Sequence, residues 1–211
     1  MPTPPPPHSA AAGAVALLLL AAGASTRMGQ PKQLLPYRGR TLLRHAAETA
    51  AASGCAPLVL VTGALHEELL PEVADLPFQV VHNPDWETGM ASSVRTGLAA
   101  LAVAQPAAIL IMLSDQPLVP PALLHQLVAR QQRTQAPAVA TAYADALGVP
   151  AVFASSLFPA LRQLHGTQGA GRLLAGLGEA VGRVPFAAGA LDVDTPAQYA
   201  ALLREGLPGP F

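Results

Sequence analysis

Uninterrupted apolar runs punctuate the chain, and a glycine or a polar cluster closes each one. Val15–Ala21 (VALLLLA) leads into A-G-A-S-T-R-M-G-Q-P-K, Leu58–Thr62 stops at Gly63, Phe78–Val81 leads to N-P-D-W, and Ala108–Leu113 to S-D-Q-P. Runs without alternation suit strands buried on both faces. Between them, apolar positions recur at helical spacing. Thr41–Ser53 carries Leu42, Leu43, Ala46, Ala47 and Ala50 on one stripe and ends at Gly54. Met90–Leu101 and Pro120–Gln132 read as helices, the second with prolines in its first turn, where they are tolerated. Val139–Ala142 and Val149–Phe153 read as shorter strands, Leu157–Leu164 and Gly171–Leu177 as helices, Arg183–Phe186 as a strand and Thr195–Arg204 as a closing helix.

Strands alternating with helices predict an α/β fold: a Rossmann-like three-layer sandwich with a mostly parallel central sheet. The stretch Thr141–Phe186 is less regular and is expected to form a lid or to interrupt the strand order. The chain divides into a proline-rich leader (1–12), one domain (13–206) and a short tail (207–211). In open α/β sheets, ligands bind beyond the carboxyl ends of the strands. Attention therefore falls on Gly23–Lys32, Gly63, Asn83–Gly89 and Ser114–Pro117.

Composition narrows the function. Of 211 residues, 51% are apolar and 12% charged, with a formal net charge of −1. That supplies a large core and gives no electrostatic case for nucleic acid or an anionic membrane. Aromatic residues are too scarce for single-strand stacking platforms. Cys55 is the single cysteine, which excludes an internal disulfide and a multi-cysteine zinc site. The run Ala10–Ala24 has the length of a signal-peptide core, but residues 1–9 hold no Lys or Arg, so a buried strand and a cytoplasmic protein are the expectation.

The loop after the first strand can bind phosphate. Gly23 and Gly29 permit tight backbone turns, Arg27 offers a fork of donors and Lys32 a point charge. It is neither a Walker A loop nor the dinucleotide fingerprint. Asp115 directly follows a buried run, where a carboxylate can hold Mg²⁺ or cap a turn. Of Asp192 and Asp194, at most one is expected to face a site, and Asp194 also reads as the N-cap of the last helix. The histidines are scattered; His45, His125 and His165 read as helix-surface or satisfied core residues. Cys55 reads as packing. Trp86 reads equally as a loop anchor or a site wall.

Together, L-A-A-G-A-S-T-R-M-G-Q-P-K-Q-L-L-P, N-P-D-W-E-T-G-M-A-S-S-V, D-Q-P, G-V-P-A-V-F and D-V-D-T-P resemble the MobA-like nucleotidyltransferases, and within them the molybdenum cofactor cytidylyltransferases. The resemblance runs from Val15 to Leu203. It implies a glycosyltransferase-A type fold and Mg²⁺-dependent transfer of a nucleoside monophosphate from CTP to the phosphate of molybdopterin, with release of pyrophosphate. It implies that Arg27 and Lys32 neutralise the triphosphate, that Ala21, Ala22, Gly23, Gly89 and Ser93 line the nucleotide pocket, and that Asp115 and Asp194 hold the metal. The catalytic set is then Arg27, Lys32 and Asp115. A molybdoenzyme or its chaperone would be the downstream partner. Ala22 stands where guanylyltransferase relatives resemble L-A-G-G, which implies CTP over GTP. Two places depart from the pattern. A late G-D-x-G-A-R motif is replaced by Gly166-Thr167-Gln168-Gly169-Ala170-Gly171-Arg172, and Gln198 replaces a final acid. These departures leave open another phosphorylated acceptor, or a nucleotide sensor or cofactor chaperone without turnover.

Overall fold

The computed structural model describes residues 14–143 and 146–205. The readings made for the leader 1–12 and the tail 207–211 lie outside the described residues. Nine strands are described: β1 (Val15–Ala21), β2 (Pro36–Tyr37), β3 (Arg40–Thr41), β4 (Leu58–Thr62), β5 (Phe78–His82), β6 (Ala108–Leu113), β7 (Ala138–Tyr143), β8 (Ala146–Ala154) and β9 (Val181–Pro185). The helices are α1 (Leu42–Ala51), α2 (His66–Leu69), α3 (Met90–Ala100), α4 (Pro121–Thr134), α5 (Phe158–Arg162), α6 (Ala170–Leu177) and α7 (Pro196–Glu205). Seven strands form one sheet in the order β5-β4-β1-β6-β8-β7-β9, and β2 and β3 pair apart as a small hairpin.

The sheet is mostly parallel, as the alternation of elements predicts. β1 pairs parallel to β4 on one side and to β6 on the other, with Leu17 beside Leu58 and Val15 beside Ala108. β8 alone runs antiparallel, between β6 and β7. The irregular Thr141–Phe186 stretch therefore interrupts the order: β8 is inserted as a hairpin partner of β7, and β9 returns parallel to β7.

Why β1 is wholly apolar follows from its place. Its side chains alternate between the two faces of the sheet. Val15, Leu17, Leu19 and Ala21 join the core under α1 and α4, while Ala16, Leu18 and Leu20 join the core under α3, α5 and α6. α3 comes close enough that a side-chain carbon on Gly97 would lie 2.9 Å from Leu18 Cδ1. α1 starts where Thr41 Oγ1 accepts the Arg44 backbone N–H at 3.0 Å, a standard N-cap. No helix among the described residues is long and apolar enough to cross a membrane.

The chain builds outward from β1 to β4 and β5, then returns to β6 on the opposite side of β1. The strand order thus reverses between β1 and β6, and a crevice opens at their carboxyl ends.

Leu18 is fully buried beneath α3. Leu18→Ala is expected to cost about 2–5 kcal/mol, the range for a core cavity that cannot collapse. Equilibrium urea unfolding of the variant measures it.

Candidate active site

A cleft of about 310 Å³ lies at that reversal, and its lining includes Ala21, Ala22, Gly23, Lys32, Trp86 and Asp115. Gly89, Met90 and Ser93, at the start of α3, complete the opposite side. At its edge Asp194 meets Lys32, and Arg27 meets Asp194. A second hollow of similar size, under Leu101 and Phe158, lies at the amino end of β6 and holds none of these residues. The residues singled out in the sequence therefore converge, although they span 174 positions from Ala21 to Asp194.

The loop after β1 is held from within by Gln33. Its amide donates to the Gly23 carbonyl at 2.7 Å, and its Oε1 accepts from Ser25 Oγ at 2.9 Å. Ser25 Oγ in turn accepts the Lys32 backbone N–H at 3.1 Å. The Gln33 side chain is buried, so these bonds form away from competing water. Ser25 itself sits at φ 58°, which the loop tolerates because it is pinned on both sides. Sequence reasoning passed over Gln33; its only signal is a polar residue inside K-Q-L-L-P.

Lys32 is the electrostatic centre. Its Nζ donates to Asp115 Oδ2 at 2.5 Å and to Asp194 Oδ1 at 2.6 Å. Arg27, whose side chain is 70% exposed, donates to the other Asp194 oxygen at 2.7 Å. Burial disfavours the Lys32 ammonium, but the Asp115 charge and the bonds to both carboxylates outweigh it and raise Lys32 above its ordinary value. For Asp194, burial pushes upward, yet Lys32 and Arg27 hold the carboxyl below the ordinary range.

Asp192 corrects the sequence reading. Residues two apart in extended backbone share a face, so Asp192 and Asp194 do not point apart. It is Val193 that turns away: its side chain is buried, and its N–H donates to the Asp115 carbonyl at 3.0 Å. The Asp192 carboxyl is raised, by burial first and then by the neighbouring Asp115 and Asp194 charges. Three carboxylates therefore sit near two cations.

Asp194 is not the cap of α7 either. Thr195 Oγ1 accepts the Gln198 backbone N–H at 3.3 Å, and Gln198 Oε1 reaches back to the Asp194 N–H at 3.1 Å. That T-P-A-Q arrangement is a capping box. Gln198 thus has a structural task, and the Asp194 carboxylate is left to Lys32 and Arg27.

Asp115 Oδ1 is buried and has no hydrogen-bond partner among the described residues. An unsatisfied buried acceptor is costly. With Oδ2 and an Asp194 oxygen already converging on one cationic atom, the donor set suits a hard divalent ion. Among the described residues no group of three His, Cys, Asp or Glu is placed to hold a metal. Mg²⁺ commonly uses one or two carboxylates and completes its shell with phosphate and water, so two carboxylates suffice.

On the far side of the cleft, the N-P-D-W turn is rigid. Asn83 is buried and donates to Ser92 Oγ at 2.8 Å and Ser93 Oγ at 3.0 Å, while its Oδ1 accepts the Asp85 N–H at 3.0 Å. Ser93 thus lines the cleft and also anchors the turn. Gly89, at φ 108°, starts α3 in a region that favours glycine. A side-chain carbon there would lie 2.3 Å from the Gly166 carbonyl oxygen, and that same oxygen accepts the Ala91 N–H at 3.2 Å. The late loop therefore touches the Gly89 side of the cleft through backbone. Arg172 stands exposed in the first turn of α6.

The remaining candidates fall outside the chemistry. Cys55 is buried, and burial pushes its thiol up, as suits packing. His125 caps nothing catalytic; its Nε2 meets the Ala52 carbonyl at 3.0 Å. His165 lies in the late loop, not in a helix. His45 is half-buried, with Nε2 2.9 Å from the Pro117 carbonyl, so it supports the turn that carries Asp115.

The model of the MobA-like NTP transferase domain matches residues 17–181. Purine catabolism protein PucB of Bacillus subtilis is 33% identical over 194 residues, covering 87% of this chain and 93% of that protein. Nicotine blue oxidoreductase of Paenarthrobacter nicotinovorans is 45% identical over 97 residues, and the match spans only about half of either chain (46% and 47%). Molybdenum cofactor cytidylyltransferase of Escherichia coli is 36% identical over 81 residues, 38% of this chain and 42% of that one. Among solved structures, Rv0371c of Mycobacterium tuberculosis superposes with a TM-score of 0.80 at 32% identity, over 92% of this chain and all of that one. Its manganese complex superposes with a TM-score of 0.75 at 30% identity, over 90% of this chain and 98% of that one.

Burial holds His45 below its ordinary value, with Arg38 and Arg40 adding to the effect against the Pro117 hydrogen bond. The folded state therefore favours the neutral ring. Its contribution to stability is present above the unfolded value near pH 6.5 and lost as pH falls through it toward the lower folded value. His45→Gln is expected to flatten that part of the stability–pH profile, measured by thermal melts between pH 5 and 8. Gly89→Ala is expected to displace the 165–169 loop and to lower kcat/KM on the order of a hundredfold while the far-UV spectrum stays unchanged. Steady-state kinetics and circular dichroism on one preparation check both.

Proposed function

We propose that this chain, which belongs to the MobA-like NTP transferase family and is a nucleotidyltransferase, transfers CMP from CTP to the phosphate of a molybdopterin-type acceptor and releases pyrophosphate. The observation that carries the reading is the Lys32 ammonium held between Asp115 and Asp194 at the mouth of the glycine loop. Such a cluster suits a polyphosphate with its counter-ion.

In this reading the Ala21–Gly23 backbone, Gly89 and Ser93 receive the nucleoside. Lys32 and Arg27 hold the phosphates and oppose their mutual repulsion. Asp115 and Asp194 would hold Mg²⁺, which would supply neutralisation of the charge that builds on the phosphates. An acceptor phosphate oxygen attacks the α-phosphorus as the bond to the β-phosphate oxygen breaks. That oxygen is already anionic, so no general base is required, and catalysis rests on positioning and fixed charge. The absence of a histidine or thiol from the lining fits this chemistry.

The changed late loop favours a second reading with the same donor chemistry. Gly166–Arg172 lacks the acid of the family pattern, and it borders the cleft through Gly89. Another phosphorylated acceptor would then replace molybdopterin.

Pyrophosphate release with Mg²⁺, compared for CTP, GTP, ATP and UTP with and without molybdenum-loaded molybdopterin, tests both. Release only with CTP plus the pterin is the expected result. Mg²⁺-dependent CTP binding without release would transfer the assignment to another acceptor. Asp115→Asn is expected to lower turnover by roughly a hundredfold or more, the size of losing several kcal/mol of charge stabilisation, with an unchanged far-UV spectrum.

A further inference from the structure

Trp86 is the single tryptophan of the chain, and it stands half-buried in the wall of the cleft. Its placement is built, not incidental. It opens a 3-10 turn, Trp86–Thr88, directly after β5. The turn is pinned from four sides: Thr88 N–H to the Asp85 carbonyl at 3.0 Å, Gly89 N–H to the Trp86 carbonyl at 3.1 Å, Ser92 Oγ to the Asp85 carbonyl at 3.0 Å, and the Asn83 amide beneath it. The side chain then lies over Gly63, at the end of β4. A side-chain carbon on Gly63 would fall 2.7 Å from Trp86 Cβ, 2.9 Å from Ala22 Cβ and 2.4 Å from the Ala22 carbonyl oxygen. Glycine at 63 is therefore what lets the tryptophan side chain and the Ala22 methyl come together. An aromatic ring carried on so closely bonded a turn at a cleft wall, partly in water, forgoes burial that a core position would provide. A ring of this kind is suited to receive another flat ring.

We propose that Trp86 is a nucleobase-binding residue of the donor site: with Ala22 and Gly63 it forms the wall against which the nucleobase of the nucleoside triphosphate stacks. The placement distinguishes the base from the acceptor. Trp86 Cβ approaches Gly63 from one side while Ala22, in the loop after β1, approaches it from the other, and Trp86 belongs to the turn that delivers Gly89 and Ser93. The late loop reaches this neighbourhood only from the other side of Gly89, through Gly166. The inference rests on the donor assignment made above only in taking this end of the cleft as the nucleoside end. Stacking tolerates any base, so the wall supplies affinity, and the Ala22 methyl beside it limits the room for a second ring.

Because Trp86 is the only tryptophan, its fluorescence reads the site in the unaltered protein. Titration with Mg²⁺ and CTP, cytidine, the other three nucleoside triphosphates, inorganic tripolyphosphate and a free pterin separates the possibilities. CTP and cytidine are expected to quench the emission, and tripolyphosphate to leave it unchanged. Trp86→Ala is expected to weaken CTP binding about tenfold or more by calorimetry, with tripolyphosphate affinity unchanged and Trp86→Phe within about threefold of the parent. An equal response to tripolyphosphate, a response to the pterin but not to any nucleotide, or unchanged CTP affinity in Trp86→Ala would each overturn the proposal. If GTP or ATP binds in place of CTP and does so through Trp86, the choice of CTP fails while the stacking wall stands. If CTP is the donor and binds regardless of Trp86, the reverse holds.

Discussion

Two carboxylates cannot share a small volume without a cation between them, and Lys32 is that cation. Its ammonium holds Asp115, which follows β6, and Asp194, which follows β9, to the loop that follows β1. One charge therefore closes the site across segments 83 and 162 positions away in sequence. Side-chain exposures of 14% for Lys32 and 12% for Asp115 place the pair where water screens it weakly. The same arithmetic bears on ligands. With Asp192 ionised, the carboxylates near Lys32 already outnumber Lys32 and Arg27 by one. A polyphosphate entering there deepens the excess, and further positive charge must accompany it. The unpaired Asp115 oxygen marks where that charge can be received.

The parts of the fold legible in the sequence were those written by burial alone. Val15–Ala21, Leu58–Thr62 and Ala108–Leu113 are read with the same ends in sequence and structure, because a strand covered on both faces has no polar position to blur it. The start of β8, Ala146–Gly148, was hidden because Gly148 reads as a breaker. Nor does periodicity reveal that β8 runs antiparallel, since direction is a property of the partner strand. The hairpin of β2 and β3 is too short for any pattern, and α2 with the 3-10 turn after it, Leu70–Val73, contains Pro71 and little apolar spacing.

The site was legible by residue type, but not by contact. Glycine, arginine and lysine after a buried strand announce a phosphate loop, and Asp115 follows from its position after another. That Lys32 joins two aspartates is invisible, because the third segment returns from the far end of the chain. The roles of Gln33 and Asn83 are invisible for a different reason. Buried amides act on backbone groups, and those carry no sequence identity. Gln198 looked like a lost acid, yet its Oε1 serves the start of the helix, as the oxygen of an acid also would.

These supports divide the cleft unequally. The donor half is locked twice, by Gln33 within the glycine loop and by Asn83 beneath the Trp86 turn, and each lock acts over fewer than a dozen residues of chain. The late loop has no comparable staple. It meets the donor half where the Gly166 carbonyl accepts from Ala91, and Arg95 Nη1 adds a bond to the Leu164 carbonyl at 2.6 Å just before it. Substitutions from Thr167 onward can therefore reshape this rim of the cleft without disturbing the groups proposed to bind the nucleotide. That asymmetry gives a physical reason why relatives named for different roles share this scaffold. In the proposed reading the reacting phosphorus and its counter-charges belong to β1, β6 and the turn after β5, whereas the second substrate is left to the loop that is tied least. Gly89 is the exception that couples the halves. Its missing side chain is what allows the Gly166 backbone to pack against the start of α3, so the separation holds only as long as that position stays glycine.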